Sequence, residues 1–101
     1  MAIVEVSVVP LGTKTPSVSL YVVRAAKVLE RQKDMKYELT AMGTIIEGDL
    51  DRILAVVRKM HEAVFGEGVT RVLTTIKIDD RRDKPQTMKA KVDSVNKKLQ
   101  V

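Results

Sequence analysis

An α+β fold with the element order β-α-β-β-α-β, followed by one more helix, is what this sequence predicts. Three observations carry that reading. Runs that alternate apolar and polar residues take turns along the chain with runs of helical period, and turn-forming residues separate them. The second and third strand-like runs sit so close together that only a hairpin joins them. The chain has 101 residues, 45 % of them hydrophobic, enough for one small core and therefore for a single domain, residues 1–101.

The first strand spans residues 2–9, with Val4, Val6 and Val8 on one face and Ile3, Glu5, Ser7 and Val9 on the other. Pro10 and Gly12 in "PLGTKTP" break it, and Thr15-Pro16 sets an N-cap before a proline in the first helical turn. The helix that follows reaches about Gln32, its apolar face made of Val18, Tyr21, Val22, Ala25, Val28 and Leu29. "MKYELTAM" is the second strand, in which Tyr37, Leu39 and Ala41 alternate with Glu38, Thr40 and Met42. Gly43 turns the chain into a short third strand, "TIIE". Asp49 is a good N-cap for a second helix that buries Leu50, Ile53, Leu54, Val57, His61 and Val64. That helix is expected to stop near Gly66 with left-handed geometry. "TRVLTTIKID" is the fourth strand, with Val72, Thr74, Ile76 and Ile78 against Leu73, Thr75, Lys77 and Asp79. After "DRRDKPQ" a last helix aligns Met88, Val92, Val95 and Leu99 on one side.

Two β-α-β halves joined by a hairpin make the ferredoxin-like split motif. Right-handed crossovers then order the antiparallel sheet 4-1-3-2, with both main helices on one face. One end of such a sheet gathers "PLG", Ser17 and Ser19 in the first turn of the first helix, and the "MGT" turn. The opposite end gathers "EGD" and "DDRRDK".

Composition excludes several classes. There is no cysteine and only one histidine, so neither a disulfide framework nor a thiolate or histidine-rich metal site is expected. No apolar run approaches the roughly 18 residues of a membrane span, and "MAIVEVSVVP" alternates and carries Glu5, unlike a signal peptide. A soluble cytoplasmic protein is the expectation. The net charge of +5 invites a nucleic-acid reading, and the densest basic stretch runs from Lys84 to Lys98. Acids and bases are interspersed elsewhere, however, and two Tyr, one Phe and no Trp give no platform for stacking bases, so nucleic acid is not an expected partner. His61 has no orienting acid with which to activate Ser17 or Ser19, and no phosphate-binding glycine loop is present, so no catalytic site and no cofactor are expected.

The sheet face away from the helices is mixed. Ile3, Val9, Leu73 and Met42 would form an apolar patch there, between Glu5, Ser7, Thr75, Lys77, Glu38 and Thr40. Sheet-on-sheet self-association is the expected cover, with polar groups trapped at the seam and in need of partners. In the third strand either Thr44 and Ile46 or Ile45 and Glu47 face that seam. A carboxylate at a strand end beside Asp49 would ordinarily lie in solvent. In "DDRRDK", Arg81 and Arg82 either belong to a salt-bridge network or grip an anion bidentately.

"PLG", the spaced serines of the first helix, "MGTIIEGD", "HE", "F-x-x-G", "RV" and "KIDDRRDK" resemble, in order and over nearly the whole chain, the small thiamine-binding proteins. The resemblance implies a ferredoxin-like protomer, a homotetramer paired through its sheets, and binding of thiamine or its hydroxymethylpyrimidine part without catalysis. An aminopyrimidine offers a ring-nitrogen acceptor beside an exocyclic amine, an edge that a carboxylate with a hydroxyl or a carbonyl reads well. Ser7, Ser19, Thr40, Gly43, Thr44 and Glu47 are the candidates for that contact. Phosphorylated thiamine would suit the basic balance, with Arg81 or Arg82 as partners. The rival reading is a structural or regulatory homotetramer that binds only phosphate or sulfate at those arginines.

Overall fold

The computed structural model describes residues 1–14, 19–66 and 68–100. In them the expected order appears: β1 (Ala2–Pro10), α1 (Ser19–Glu30), β2 (Lys36–Leu39), β3 (Thr44–Gly48), α2 (Leu50–Val64), β4 (Val72–Asp80) and α3 (Met88–Leu99). The four strands form one antiparallel sheet ordered β2-β3-β1-β4, which is 4-1-3-2 read from the other edge. The proposed cap at Thr15-Pro16, together with Ser17 and Val18, lies outside the described residues.

β1 holds the centre unequally. It pairs with β4 from Ala2↔Asp80 to Pro10↔Val72, but with β3 only from Ala2↔Gly48 to Val6↔Thr44. Its last residues thus have a strand on one side and none on the other. Register also settles the ambiguity of the third strand. Val4 stands opposite Ile46 and Val6 opposite Thr44, so Thr44 and Ile46 share the face that carries Val4 and Val6. Ile45 and Glu47 fall on the other face with Ile3 and Glu5. Tyr37, opposite Ile46, packs against the core as its alternation predicts.

The core lies between that face and the two main helices. Val4, Val6 and Ile46 from the sheet meet Ala25 and Leu29 of α1 and Ile53, Val56, Val57, Met60 and Val64 of α2. The buried stripe of α2 runs at spacings of three and four from Ile53 to Val64. Leu54, expected inside, sits at the flank of this stripe and is 38 % exposed; Val22 of α1 is likewise exposed. Val56 and Met60 take the central positions instead. Asp49 caps α2 as expected, its side chain accepting the Arg52 N–H at 3.3 Å.

α2 stops near Gly66 as expected, but the geometry of its end differs. The cap is Phe65, in extended geometry, whose N–H donates to the Glu62 carbonyl at 3.2 Å. The left-handed residue is not Gly66 but Gly68 (φ 77°), within a turn that the Val69 N–H closes onto the Gly66 carbonyl at 3.0 Å. β2 also stops earlier than its alternation suggests. Thr40 leaves the strand because its N–H and hydroxyl both donate to the Gly43 carbonyl, each at 2.8 Å, and the hydroxyl accepts from Met42 and Gly43 N–H at 3.2 Å.

Candidate functional site

Where β3 gives out beside β1, the hairpin turn and α1 enclose a cleft of about 280 Å³. Ser7, Val8 and Val9 of β1 form one wall, Val22 and Ala25 of α1 another, and Ala41 to Thr44 the third. Of the six residues singled out from sequence, three meet here: Ser7, Gly43 and Thr44. Thr40 contributes by closing the turn. Ser19 begins α1 one turn before Val22, and its side chain lies outside the described residues.

Gly43 is held to glycine by contact, not by an unusual backbone angle. A Cβ at this position would stand 2.9 Å from the Val6 carbonyl oxygen, closer than real Cβ atoms come to backbone. The same contact shows which way β1 points its main chain. The Val6 carbonyl is turned toward the hairpin. By the two-residue alternation of a strand the N–H and C=O of Val8 turn to the same side. No β3 residue pairs with Val8. A main-chain donor and acceptor of the central strand therefore face the cleft, flanked by the hydroxyl-bearing Ser7 and Thr44. Sequence reasoning missed this pair because only the register, which ends at Val6↔Thr44, shows which β1 residues the short β3 leaves without a partner. Glu5 was noted but not chosen as a site residue, although its Cγ comes within 3.6 Å of the Gly43 Cβ position. Its place beside Ser7 on one face of β1 was the available signal.

Glu47 stands apart from this cleft, on the opposite face of the sheet from Thr44. It is 4 % exposed, so it is not the solvated strand-end carboxylate its position suggests. Its Oε2 accepts the backbone N–H of Met88, the first residue of α3, at 3.2 Å, and Lys36 lies opposite it in register. A carboxylate at a helix N-terminus satisfies an orphan donor and opposes the positive end of the dipole. Glu47 thus fastens α3 to the sheet face that α1 and α2 leave bare. Asp79 assists from β4, accepting from Lys91 Nζ at 2.5 Å and Gln86 Nε2 at 3.1 Å. Those bonds, Lys91 first, hold its carboxyl below the ordinary carboxylate value.

Arg81 and Arg82 both already hold a carboxylate. Arg81 donates to both oxygens of Asp83 at 2.6 and 3.0 Å, and Arg82 donates twice to Asp80, at 2.9 and 3.2 Å. The Arg81 bond lowers Asp83 to about 2, while both guanidiniums are raised. His61 does structural work. Its Nδ1 is 2.6 Å from Thr74 Oγ1, tying α2 to β4, and its ring meets Phe65 edge-on at 5.3 Å. Among the described residues no group of three or more acidic, cysteine or histidine side chains is placed to hold a metal ion, and no helix is long and apolar enough to cross a membrane.

Comparison with known proteins bears on the fold and the family. The UPF0045 protein YqgV of Bacillus subtilis is 52 % identical to the chain, the match covering 99 % of each. The crystal structure of a hypothetical protein of Methanocaldococcus jannaschii superimposes with a TM-score of 0.85 at 43 % identity, over 94 % of this chain and 95 % of that one. A putative thiamine biosynthesis/salvage protein of Thermotoga maritima shares the fold at 22 % identity, with a TM-score of 0.76 over 93 % of this chain and 97 % of that one. A family model described as thiamine-binding protein matches residues 4–96, and on these grounds the chain belongs to the thiamine-binding protein family.

Proposed function

We propose that the protein binds thiamine or its hydroxymethylpyrimidine part, without catalysis, as a cytoplasmic homotetramer paired through its sheets. The observation that carries this reading is the free edge of β1, where the Val8 main chain faces a cleft also lined by Ser7, Gly43 and Thr44. An aminopyrimidine needs a donor for its ring nitrogen and an acceptor for its amine, and an unpaired strand edge presents both with fixed spacing. The cleft of about 280 Å³ lies just under the roughly 300–1,000 Å³ of typical ligand pockets, a size suited to a single ring. Glu5 supplies a nearby negative charge for the thiazolium or the amine.

The proposal keeps Ser7, Ser19, Thr40, Gly43 and Thr44 at the site and gives Glu47 a different part, as the anchor of α3. The anion-only reading has less support, because Arg81 and Arg82 are already engaged by Asp83 and Asp80.

Calorimetry with thiamine, its phosphates and hydroxymethylpyrimidine tests the proposal. Heat and a raised melting temperature are expected for at least one of them. A pyrimidine lacking the exocyclic amine should bind roughly tenfold or more weakly, since the main-chain acceptor is then left without its partner. Absence of heat and of any thermal shift at millimolar ligand refutes the reading.

A further inference from the structure

Two large apolar side chains stand exposed where the cleft beside β1 opens. Val22 belongs to the same helical stripe as Ala25 and Leu29, at spacings of three and four. Those two are buried, whereas Val22 is 44 % exposed. Met42, in the hairpin turn, is 83 % exposed, more than any other large apolar residue among those described. Both line the cleft. One exposed apolar residue is ordinary, but two on separate walls give this cleft an apolar lip.

The main chain beneath Met42 is fixed and its side chain is not. The Met42 and Gly43 N–H groups both donate to Thr40 Oγ1 at 3.2 Å, and the Thr40 N–H and hydroxyl donate back to the Gly43 carbonyl at 2.8 Å. Gly43 in turn lies so near β1 that a Cβ there would come within 2.9 Å of the Val6 carbonyl oxygen. The turn is thus tied to itself and seated against the central strand. From that base the Met42 side chain extends on an unbranched, adaptable stem. Folding it over the cleft takes apolar surface out of water and costs only rotamer freedom.

The other groups of the cleft leave that part open. Ser7, Thr44 and the Val8 main chain offer hydrogen bonds, which engage a planar ring at its edge and within its plane. The faces of the ring need apolar contact if the ligand is to be buried as pocket ligands are. Val22 and Ala25 stand on the α1 side. On the hairpin side a thioether suits the task, because sulfur is polarisable and packs favourably on aromatic rings.

We infer that Met42 is a ligand-contacting residue: its thioether folds over the face of the aromatic ring whose edge the Val8 main chain reads. The ring's aromatic face, and not its hydrogen-bonding edge alone, is then part of what the cleft recognises. The inference rests on the ligand reading proposed above and adds the side chain that covers the ring.

The test uses the full chain with isotope-labelled methionine methyl groups. The chain has five methionines, and Met42→Leu identifies the Met42 signal. Hydroxymethylpyrimidine is titrated in, with calorimetry on the same samples. The Met42 methyl signal should move upfield under the ring current as heat is released. Met42→Ala should weaken binding by about tenfold, since both the sulfur contact and the apolar cover are lost. Met42→Leu, which keeps apolar bulk, should stay within about threefold of the wild type. Met42→Gln, of similar length but polar, should weaken binding as the alanine does. The melting temperature of the free protein should be the same in all three, because the side chain is exposed. Heat of binding with an unmoved Met42 methyl refutes the cover and leaves the ligand reading standing. Wild-type affinity in Met42→Ala does the same. No heat from the wild type refutes cover and ligand reading together.

Discussion

α2 and α3 look alike on paper and behave oppositely in the fold. Both are amphipathic and both open on a side chain that caps the first turn, Asp49 in one and Thr87 in the other. α2 buries Ile53, Val56, Val57, Met60 and Val64, whereas α3 buries nothing. Helical period says that a stripe wants cover, but not whose cover. For α2 the cover is the chain's own sheet. For α3 it is absent from the protomer, and what keeps the helix in place is polar: one buried carboxylate, one lysine and a cap. Apolar burial makes a helix part of a cooperative core, while a few exposed polar bonds leave it free to open alone.

Perturbing each helix in the same way sharpens that contrast. The largest effect is expected from Ile53→Ala, which opens a cavity under a fully buried side chain and should cost about 2–5 kcal/mol in chemical denaturation. Removing the α2 cap with Asp49→Ala should cost about 0.5–2 kcal/mol of global stability. The matching change in α3, Thr87→Ala, should cost the isolated protomer less than about 0.5 kcal/mol globally, while amide exchange across residues 88–99 speeds up. Equal losses from the two cap variants would erase the distinction.

The smallest effect is one of pH. Asp79, held by Lys91 and Gln86, and Asp83, held by Arg81, lie below their ordinary 3.8, Asp83 at about 2. A carboxyl with a lowered folded value stabilises fully above the unfolded value and loses that contribution as pH falls through the folded one. Acidification from about pH 4 to about pH 2 should therefore loosen the segment from Asp79 into α3 first, read by exchange or by tryptophan-free far-ultraviolet dichroism. Simultaneous loss of α2 and α3 would contradict the difference drawn between them.

Much of this was legible in the sequence, and the failures have a common cause. Period and turn chemistry gave every element, the strand order and the helix-facing role of Tyr37, because these depend on neighbours along the chain. The third strand stayed ambiguous because "TIIE" is apolar on both faces, and only pairing with β1 decides it. Glu47 was singled out rightly as unusual and its partner was missed: the Met88 N–H is 41 residues away, and nothing local announces it. The second helix stops near Gly66 as its residue type suggests, with Phe65 as the cap, but Gly68 and not Gly66 takes the left-handed angle. Of the proposed site, Ser7, Gly43 and Thr44 were readable as residues. The free main chain of Val8 was not, since it follows from the register at which β3 stops pairing with β1 while β4 continues.

The pairing of β1 with β4 joins strands that lie far apart along the sequence, Ala2 beside Asp80. During synthesis the central strand emerges before its longest neighbour, with both main helices and the hairpin between them. A nascent chain that has made β1, both main helices and the hairpin still exposes one whole edge of its middle strand until β4 leaves the ribosome. That interval is when the protein is most open to mispairing with other nascent chains, and a translational pause before Val72 would lengthen it.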